Sequence, residues 1–265
     1  CLDNKIDKID KIDTDEVLMN SDVPYIREVP YSWNYLLENF FDPAHIPFAH
    51  HGMQSYRNDA SSIPINLEKF NKDELVISFK DVTAGNKRHG KIVYKAPYIY
   101  KLYKQKSNKT QSDKTQSEID DWENDLTILC VPITAGRSRV FMCYDKRKQP
   151  KFMKDGMSES KMTESKMRKN AHVMSNKFFN TDDYLVHKQE INHRKGYKYN
   201  MPTESDEGIR ILNRWLKRYY PDWIYSNSAN ARKNLIELSK EEALDNYNNH
   251  IKNCKDCKEY YDNPN

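Results

Sequence analysis

The sequence predicts an α+β protein in which an antiparallel sheet packs against helices. Stretches rich in β-branched and aromatic residues predict five strands, at residues 74–79, 91–94, 98–103, 126–133 and 139–143. A turn near Gly136 joins the last two stretches into a hairpin, which favours antiparallel pairing. Apolar residues at helical spacing over 208–220 predict an amphipathic helix that ends before Pro221.

A second helix is predicted near the end of the chain. Ser239 is followed three residues later by Glu242, which is the spacing of a capping box. The helix that this box begins is expected to run towards Asn249.

The composition indicates a globular chain with polar segments outside its core. Hydrophobic residues make up 37% and charged residues 31% of the chain. The net charge is only +4 and the charges are spread along the sequence, which argues against a nucleic-acid-binding protein. No run approaches the roughly 18 to 20 apolar residues that would span a bilayer.

Low-complexity runs and the chain start suggest the domain organisation. We expect residues 1–21 to be the end of a linker and residues 22–250 to form one domain. Flexible insertions are expected near 105–124 and 150–170, where short polar repeats occur. Residues 251–265 are expected to form a tail. Because the chain begins with Cys1 and not with Met, we expect it to be part of a longer protein.

The strongest chemical signal is the run ENFFDPAHIPFAHH, which contains Glu38, Asp42, His45 and His50. With 8 histidines in 265 residues, two at this spacing arise by chance roughly one time in four. With acids required at both upstream positions, chance drops below about one in a hundred. The complete pattern is therefore specific, and it predicts a mononuclear metal site.

Geometry constrains how this run can bind a metal. Ser32 is placed to cap a helix through the acidic positions, and Pro43 and Pro47 then disturb regular helix. Five residues turn a helix by about 500°, so His45 and His50 converge only if the helix ends or kinks. Two imidazoles and a carboxylate on one face of Fe(II) leave positions open for dioxygen, as in facial-triad oxygenases.

Two other interpretations of the run are weaker. A solvated surface helix fits poorly with Phe40, Phe41 and Phe48, which imply partial burial, where charges need a partner or a metal. A zinc hydrolase could use the same ligands, but the sequence has no HExxH-type placement of a base. Asp42, one turn before His45, could hydrogen-bond a ligand histidine and fix its tautomer.

The pair Cys254-x-x-Cys257 is a second signal. It supplies half of a tetrahedral zinc site, His250 adds a possible third ligand, and no fourth is evident nearby in the sequence. The same spacing can lower a thiol pKa and allow a reversible disulfide. Two reduced thiols without a function are an equal alternative. Cys130 and Cys143 lie in apolar strand patterns and are predicted to be core residues.

The run ENFFDPAHIPFAHH resembles the iron-ligand segment of the pheophorbide a oxygenase family of Rieske-type oxygenases. That family also includes chlorophyllide a oxygenase-like enzymes and translocon proteins of the chloroplast inner envelope. The similarity extends from about residue 22 to about residue 260. It includes three further segments: Ile211-Leu-Asn-Arg-Trp-Leu-Lys-Arg, Pro221-Asp-Trp, and His250-Ile-Lys-Asn-Cys254-Lys-Asp-Cys257.

The resemblance implies a role for each matching residue of the run. His45 and His50 match the two iron histidines of the family. Asp42 matches the aspartate that bridges the Rieske cluster of one subunit to the iron site of its neighbour. Glu38 and Asn39 match supporting residues of that helix that do not bind iron.

The resemblance also implies a third iron ligand and a redox pair. The third ligand is an aspartate in the segment 180–190, where we choose Asp182 from its distance to Gln189 and Glu190, with Asp183 as the fallback. Acids after a threonine cap are also favoured by the helix dipole alone. In the family, a pair such as Cys254 and Cys257 is associated with thiol redox regulation, which implies thioredoxin as a partner.

The fold and activity implied by the resemblance are those of a helix-grip (START/Bet v 1-like) catalytic domain with a curved antiparallel sheet. The implied reaction is monooxygenation of a chlorophyll-derived tetrapyrrole with O2 at a mononuclear Fe(II). Electrons would come from a [2Fe–2S] cluster that is supplied by a ferredoxin-type donor. The implied assembly is a homotrimer in the chloroplast or plastid, associated with the envelope or thylakoid membrane.

One departure from the family concerns the cluster. The chain contains no C-x-H and C-x-x-H pair to hold a Rieske [2Fe–2S] cluster. We therefore expect the cluster domain upstream of Cys1, and we expect the fragment alone to be inactive. The alternative function is a non-catalytic envelope or interaction protein that retains the fold.

Overall fold

The structure is a computed structural model that describes residues 24–81, 88–105, 122–143, 164–221 and 235–263. Residues 1–21, and residues 106–121 and 150–163 of the two expected insertions, lie outside these ranges. The remaining residues of the insertions are not irregular, because a strand begins at Trp122 and a long helix begins at Glu164. The strands are β1 (Tyr25–Val29), β2 (Ile65–Phe70), β3 (Glu74–Asp81), β4 (Arg88–Lys95), β5 (Ile99–Gln105), β6 (Trp122–Thr134) and β7 (Arg137–Cys143). The α-helices are α1 (Trp33–Phe40), α2 (Ile46–Ala49), α3 (Glu164–Arg194), α4 (Glu207–Tyr219), α5 (Lys240–Ala243), α6 (Asn246–Asn249) and α7 (Lys255–Asp262).

The strands form a single antiparallel sheet in the order β1-β7-β6-β5-β4-β3-β2. A tight turn at Ala135 and Gly136 joins β6 to β7, with Thr134 opposite Arg137. Gly136 has a φ of 77°, a conformation that glycine adopts without steric cost. The predicted hairpin and the predicted α+β class are both confirmed.

One face of the sheet forms the core. Residues directly opposite one another on antiparallel strands share a face, so the pairing traces this inner face across the sheet. It runs along a row of largely buried side chains: Leu75, Tyr94, Tyr100, Ile128, Met142 and Tyr25. Helix α4 packs over β2 and β3, and α1 packs over β6 and β7.

The long helix α3 lies against the other end of the inner face, at β1. Tyr25 of β1 stacks on Phe179 with 5.9 Å between ring centroids, and the Tyr25 hydroxyl donates to Asn176 Oδ1 at 2.6 Å. A sheet that holds a long helix against its inner face is a helix-grip arrangement. None of the helices within the described ranges is both long and apolar enough to cross a membrane.

Helix α4 approaches the chain closely where α1 ends. A Cβ atom added at Gly208 would lie 2.2 Å from the carbonyl oxygen of Phe41, a separation that real Cβ atoms do not show. Glycine at this position therefore allows α4 to pack against the backbone immediately before Asp42.

Two predicted helix features differ in detail from the structure. Ser32 is the N-cap of α1, but its side chain makes no cap hydrogen bond and donates instead to Glu190 Oε1 at 2.5 Å. The capping box of Ser239 and Glu242 is present, yet the helix ends at Ala243. A new turn, α6, starts after Asp245, whose side chain accepts from Asn248 N.

Candidate metal centre

The chain breaks its helix between Phe40 and His50, as the convergence of the two histidines requires. Helix α1 ends at Phe40, a 3₁₀ turn spans Pro43–His45, and the short helix α2 follows. Asp42 begins the 3₁₀ turn, and its Oδ1 accepts from Ala44 N at 2.9 Å. Proline at the first position of this turn fixes the backbone without losing a needed donor.

Three potential ligand atoms converge after this break. His45 Nε2 lies 3.3 Å from His50 Nε2, and His50 Nε2 lies 3.5 Å from Asp182 Oδ2. Ligand atoms of the three residues all lie within 4.8 Å of one another. The structure therefore brings together the two histidines of the motif and the aspartate chosen from the segment 180–190.

The remaining ring nitrogens fix which atoms face the centre. His45 Nδ1 donates to the backbone carbonyl of Asp42, an oxygen that can only accept. His50 Nδ1 lies 2.8 Å from Thr181 Oγ1, and this hydroxyl donates its own proton to Phe178 O at 2.7 Å. Both Nδ1 atoms thus carry the hydrogen, so both Nε2 atoms present lone pairs to each other.

Two facing lone pairs and a carboxylate suit a divalent cation. Burial lowers the pKa of His50, although the nearby Asp182 acts in the opposite direction, so the ring is favoured in the neutral form that binds metals. Asn39 Nδ2 donates to Asp182 Oδ2 at 3.1 Å and orients the carboxylate. Two imidazoles and one carboxylate are the donor set of mononuclear Fe(II) oxygenases.

Asp183, the fallback ligand, lies in a different environment from its neighbour. Its Oδ2 accepts from Arg27 at 2.7 Å, and its Oδ1 accepts from the Tyr31 hydroxyl at 3.0 Å. Arg27 and Asp183 have no exposed side-chain surface. Burial raises the pKa of Asp183 to about 6, although Arg27 acts in the opposite direction. This carboxylate is occupied by a buried ion pair and lies outside the cluster.

Glu38 and Asn39 support the centre in different ways. Asn39 contacts Asp182 directly, whereas Glu38 is buried between helices and accepts hydrogen bonds from Tyr199, Asn213 and Gln189. Burial raises the pKa of Glu38 to about 7. Glu38 therefore joins α1 to α3 and α4 and does not reach the ligand atoms.

Asp42 is mostly buried and is used locally. Burial raises the pKa of its carboxyl, with the nearby His45 acting in the opposite direction. Its side chain caps the 3₁₀ turn, and its backbone carbonyl orients His45.

The cysteine pair lies in a separate cluster. Cys254 and Cys257 meet His250, as the sequence suggested, and also His172, which the sequence analysis missed. His172 is 82 residues upstream of Cys254, and no spacing in the sequence links the two. The hydrogen bond between the two thiols lowers the pKa of Cys254.

The fold and this site together define a helix-grip domain with a candidate mononuclear metal centre. Residues 94–200 match the family model described as pheophorbide a oxygenase. The match confirms the resemblance that the motif indicated. It includes Asp182 and begins after His50.

Curated relatives match most of the chain. The chain is 25% identical over 257 residues to the chloroplastic pheophorbide a oxygenase of Oryza sativa subsp. japonica, covering 91% of this chain and 46% of that protein. It is 24% identical over 256 residues to the chloroplastic flavonoid 8-hydroxylase 2 of Ocimum basilicum, covering 87% and 44%. It is 23% identical over 272 residues to the chloroplastic protochlorophyllide-dependent translocon component 52 of Arabidopsis thaliana, covering 88% of this chain and 46% of that protein. The chain spans about half the length of these relatives.

Solved structures of oxygenases also align with the chain. Dicamba monooxygenase bound to dicamba has a TM-score of 0.49 at 11% identity, covering 76% of this chain and 59% of that chain. The NdmA QL mutant of Pseudomonas putida CBB5 with theobromine has a TM-score of 0.49 at 13% identity, covering 81% and 55%. Two of the curated relatives are named as an oxygenase and a hydroxylase, which is the enzyme class that the sequence predicted.

Proposed function

We propose that this chain is the catalytic domain of a Rieske-type non-haem iron monooxygenase that acts on a chlorophyll-derived tetrapyrrole. The observation that carries the proposal is the convergence of His45 Nε2, His50 Nε2 and Asp182 Oδ2, with each histidine's other nitrogen held by a protein acceptor. The family match over residues 94–200 supports the same reaction class.

Each surrounding residue has a task in this proposal. Iron(II) held by the three side chains would supply the position at which dioxygen is activated. The Asp42 carbonyl and Thr181 hydroxyl hold the two imidazoles in the tautomer that binds metal. Asn39 holds the carboxylate of Asp182 in place.

The electron path and its partners stay predictions. This sequence has no C-x-H and C-x-x-H pair that would hold a [2Fe–2S] cluster. Asp42 is predicted to be the electron-transfer bridge, and a ferredoxin-type donor and a homotrimer are predicted with it. We propose a plastid location, which the chloroplastic relatives support.

The substrate class has a second candidate. One relative at 24% identity is named a flavonoid 8-hydroxylase, close to the 25% of the named pheophorbide a oxygenase. Turnover assays of a full-length protein with pheophorbide a, chlorophyllide a and a flavonoid panel, each with ferredoxin, separate the two. Oxidation of a flavonoid and of no tetrapyrrole would replace the tetrapyrrole proposal.

A non-catalytic envelope protein is the competing function, favoured by the relative that is named a translocon component. Iron content distinguishes the two functions, since a protein that has lost its activity need not bind iron stoichiometrically. We expect about one Fe(II) per chain after anaerobic loading, and a nitric oxide adduct with the spin signature of mononuclear iron.

The matched control for this experiment is the neighbouring His51, whose Nδ1 accepts from Arg57 N at 3.0 Å and which lies outside the cluster. His45→Ala and Asp182→Ala are expected to lose at least nine tenths of the iron, and His51→Ala to keep it. Equal iron in all three variants, or none in the wild type, would refute the centre.

A further inference from the structure

A second group of potential metal ligands lies beside the N-terminal half of α3, on the N-terminal side of Asp182. His172 of α3 and His250, Cys254 and Cys257 of the C-terminal segment place ligand atoms within 4.8 Å of one another. His172 Nδ1 lies 3.3 Å from Cys254 Sγ and 3.5 Å from Cys257 Sγ. His250 Nε2 lies 3.3 Å from Cys257 Sγ.

A backbone hydrogen bond fixes the tautomer of His250 so that its unprotonated Nε2 faces the sulfurs. His250 Nδ1 donates to the backbone carbonyl of Ile26 at 2.6 Å, so Nε2 presents its lone pair to the sulfurs. A carbonyl acceptor for the far nitrogen is the usual arrangement for a histidine that binds a metal. The Tyr25 ring packs against both imidazoles, with centroids 5.4 Å from His172 and 4.5 Å from His250.

Burial separates this group from an accidental surface cluster. His172, His250 and Cys257 are buried, and Cys254 is partly buried. Two sulfurs and two imidazole nitrogens within reach of one point are a complete tetrahedral donor set for zinc, with Cys-x-x-Cys as the usual thiolate pair.

We propose that His172, His250, Cys254 and Cys257 form a structural zinc site. Four protein ligands fill a tetrahedral ion, so the site has no open position for a substrate. Two thiolates with two imidazoles favour zinc, whereas the two imidazoles and one carboxylate of the first centre favour Fe(II). This inference does not depend on the proposed oxygenase function.

The site would join three parts of the fold. His172 belongs to α3, the other three ligands belong to residues 250–257, and His250 is bonded to β1 through Ile26. An ion pair beside the cluster, Arg168 Nε to Asp256 Oδ2 at 3.2 Å, joins the same helix and segment. Zinc would therefore hold the C-terminal segment on the helix that also carries Asp182.

Metal analysis tests the site directly. The whole protein, purified in reducing buffer without added zinc, is expected to retain about one zinc per chain. Cys254→Ser and Cys257→Ser are expected to lose it, and Cys143→Ala, a buried cysteine outside the cluster, is expected to keep it. His45→Ala is expected to keep zinc as well, which excludes binding at the first centre.

Cobalt substitution identifies the ligands. Co(II) in the wild type and in His45→Ala is expected to give a tetrahedral spectrum with a thiolate charge-transfer band, because only the second centre contains sulfur. The band is expected to disappear in Cys257→Ser. A Co(II) spectrum without sulfur ligation in the wild type would overturn the proposal.

The wild type alone also decides the matter, in case the variants fail to fold. With zinc bound, Cys254 and Cys257 are expected to resist alkylation, and a chelator is expected to speed it at least about tenfold, read by mass spectrometry. Immediate alkylation without a chelator would overturn the zinc site. Thiols that react only after a reductant would also overturn it and would support the disulfide switch predicted from the resemblance.

Discussion

The two candidate metal centres differ in ligand number, ligand type and burial. The first offers two nitrogens and one oxygen, from His45, His50 and Asp182, and His45 is only partly buried. The second offers two nitrogens and two sulfurs, and three of its four residues are buried. Three ligands leave positions open for chemistry, whereas four complete a tetrahedron and serve stability.

Helix α3 carries one ligand of each centre. His172 and Asp182 are ten residues apart on it, which is about 15 Å along the helix axis. Between and beside them, buried Arg27 contacts Asn176, Asn180 and Asp183 of the same helix. One helix with a polar buried face thus contributes a ligand to each of the two candidate centres.

The largest effect on stability is expected at Asp183, which pairs with Arg27, and not at its neighbour Asp182, which belongs to the first centre. Asp183→Asn leaves Arg27 as a buried charge without its partner, which is expected to cost about 3–5 kcal/mol in the free energy of unfolding. Asp182→Asn keeps an acceptor for Asn39 and is expected to cost less than about 1 kcal/mol, while losing iron. Urea unfolding of the metal-free proteins, with iron binding measured separately, checks both. Equal destabilisation by the two substitutions would contradict the distinction.

The pH dependence of stability tests the buried Glu38, which joins α1 to α3 and α4 near the first centre. Burial raises the pKa of Glu38 from 4.5 to about 7, so the folded state binds this proton more tightly than the unfolded state. The contribution of Glu38 to stability is therefore fully present below about pH 4.5 and is lost as the pH rises through about 7. The loss is about 3 kcal/mol, from about 1.4 kcal/mol per pKa unit.

Glu38→Gln isolates this contribution. Glutamine keeps the shape and can still accept from Asn213, but it does not titrate. Urea unfolding from pH 4.5 to 8 measures the unfolding free energies of both proteins. As the pH rises, the wild type is expected to lose stability relative to Glu38→Gln. A difference that stays constant with pH would show that Glu38 has an ordinary pKa.

A smaller effect, on iron affinity, is expected at Thr181, whose hydroxyl orients the His50 ring. Thr181→Val removes the acceptor for His50 Nδ1, and we expect a loss of about 10- to 100-fold in iron affinity. Thr181→Ser keeps the hydroxyl and is the matched control. Anaerobic Fe(II) titration of both variants checks this, and equal affinities would mean that Thr181 does not set the tautomer of His50.

The sequence predicted the central strands, but it did not predict the sheet edges. Five predicted strands correspond to β3–β7, because these stretches are rich in the β-branched and aromatic residues that favour strands. Strand β1 was missed, since Arg27 occupies an inward position and interrupts the apolar pattern. Strand β2 was missed because most of its residues are exposed at the edge of the sheet.

The sequence also gave no signal for most of α3. Its buried face includes His172, Asn176, Asp183 and Glu190, whose partners lie far away in the sequence. Polar residues at core positions hide helical periodicity, since the pattern that predicts a helix is apolar. The histidine pair could be predicted because its spacing is local, and His172 could not, because only the folded chain brings it to the cysteines.

The smallest expected effect tests how firmly the second centre holds the C-terminal segment. Ser239 caps α5 through Glu242 N at 3.2 Å, and Ser239→Ala is expected to cost about 1 kcal/mol. With zinc bound, the segment unfolds with the rest of the chain, so the cost should appear in global urea unfolding. After chelation, the segment is expected to open on its own, and the cost should move into faster hydrogen exchange of residues 240–262. If the cost stays global after chelation, packing alone fastens the segment, and the second centre contributes less to the fold than its four ligands suggest.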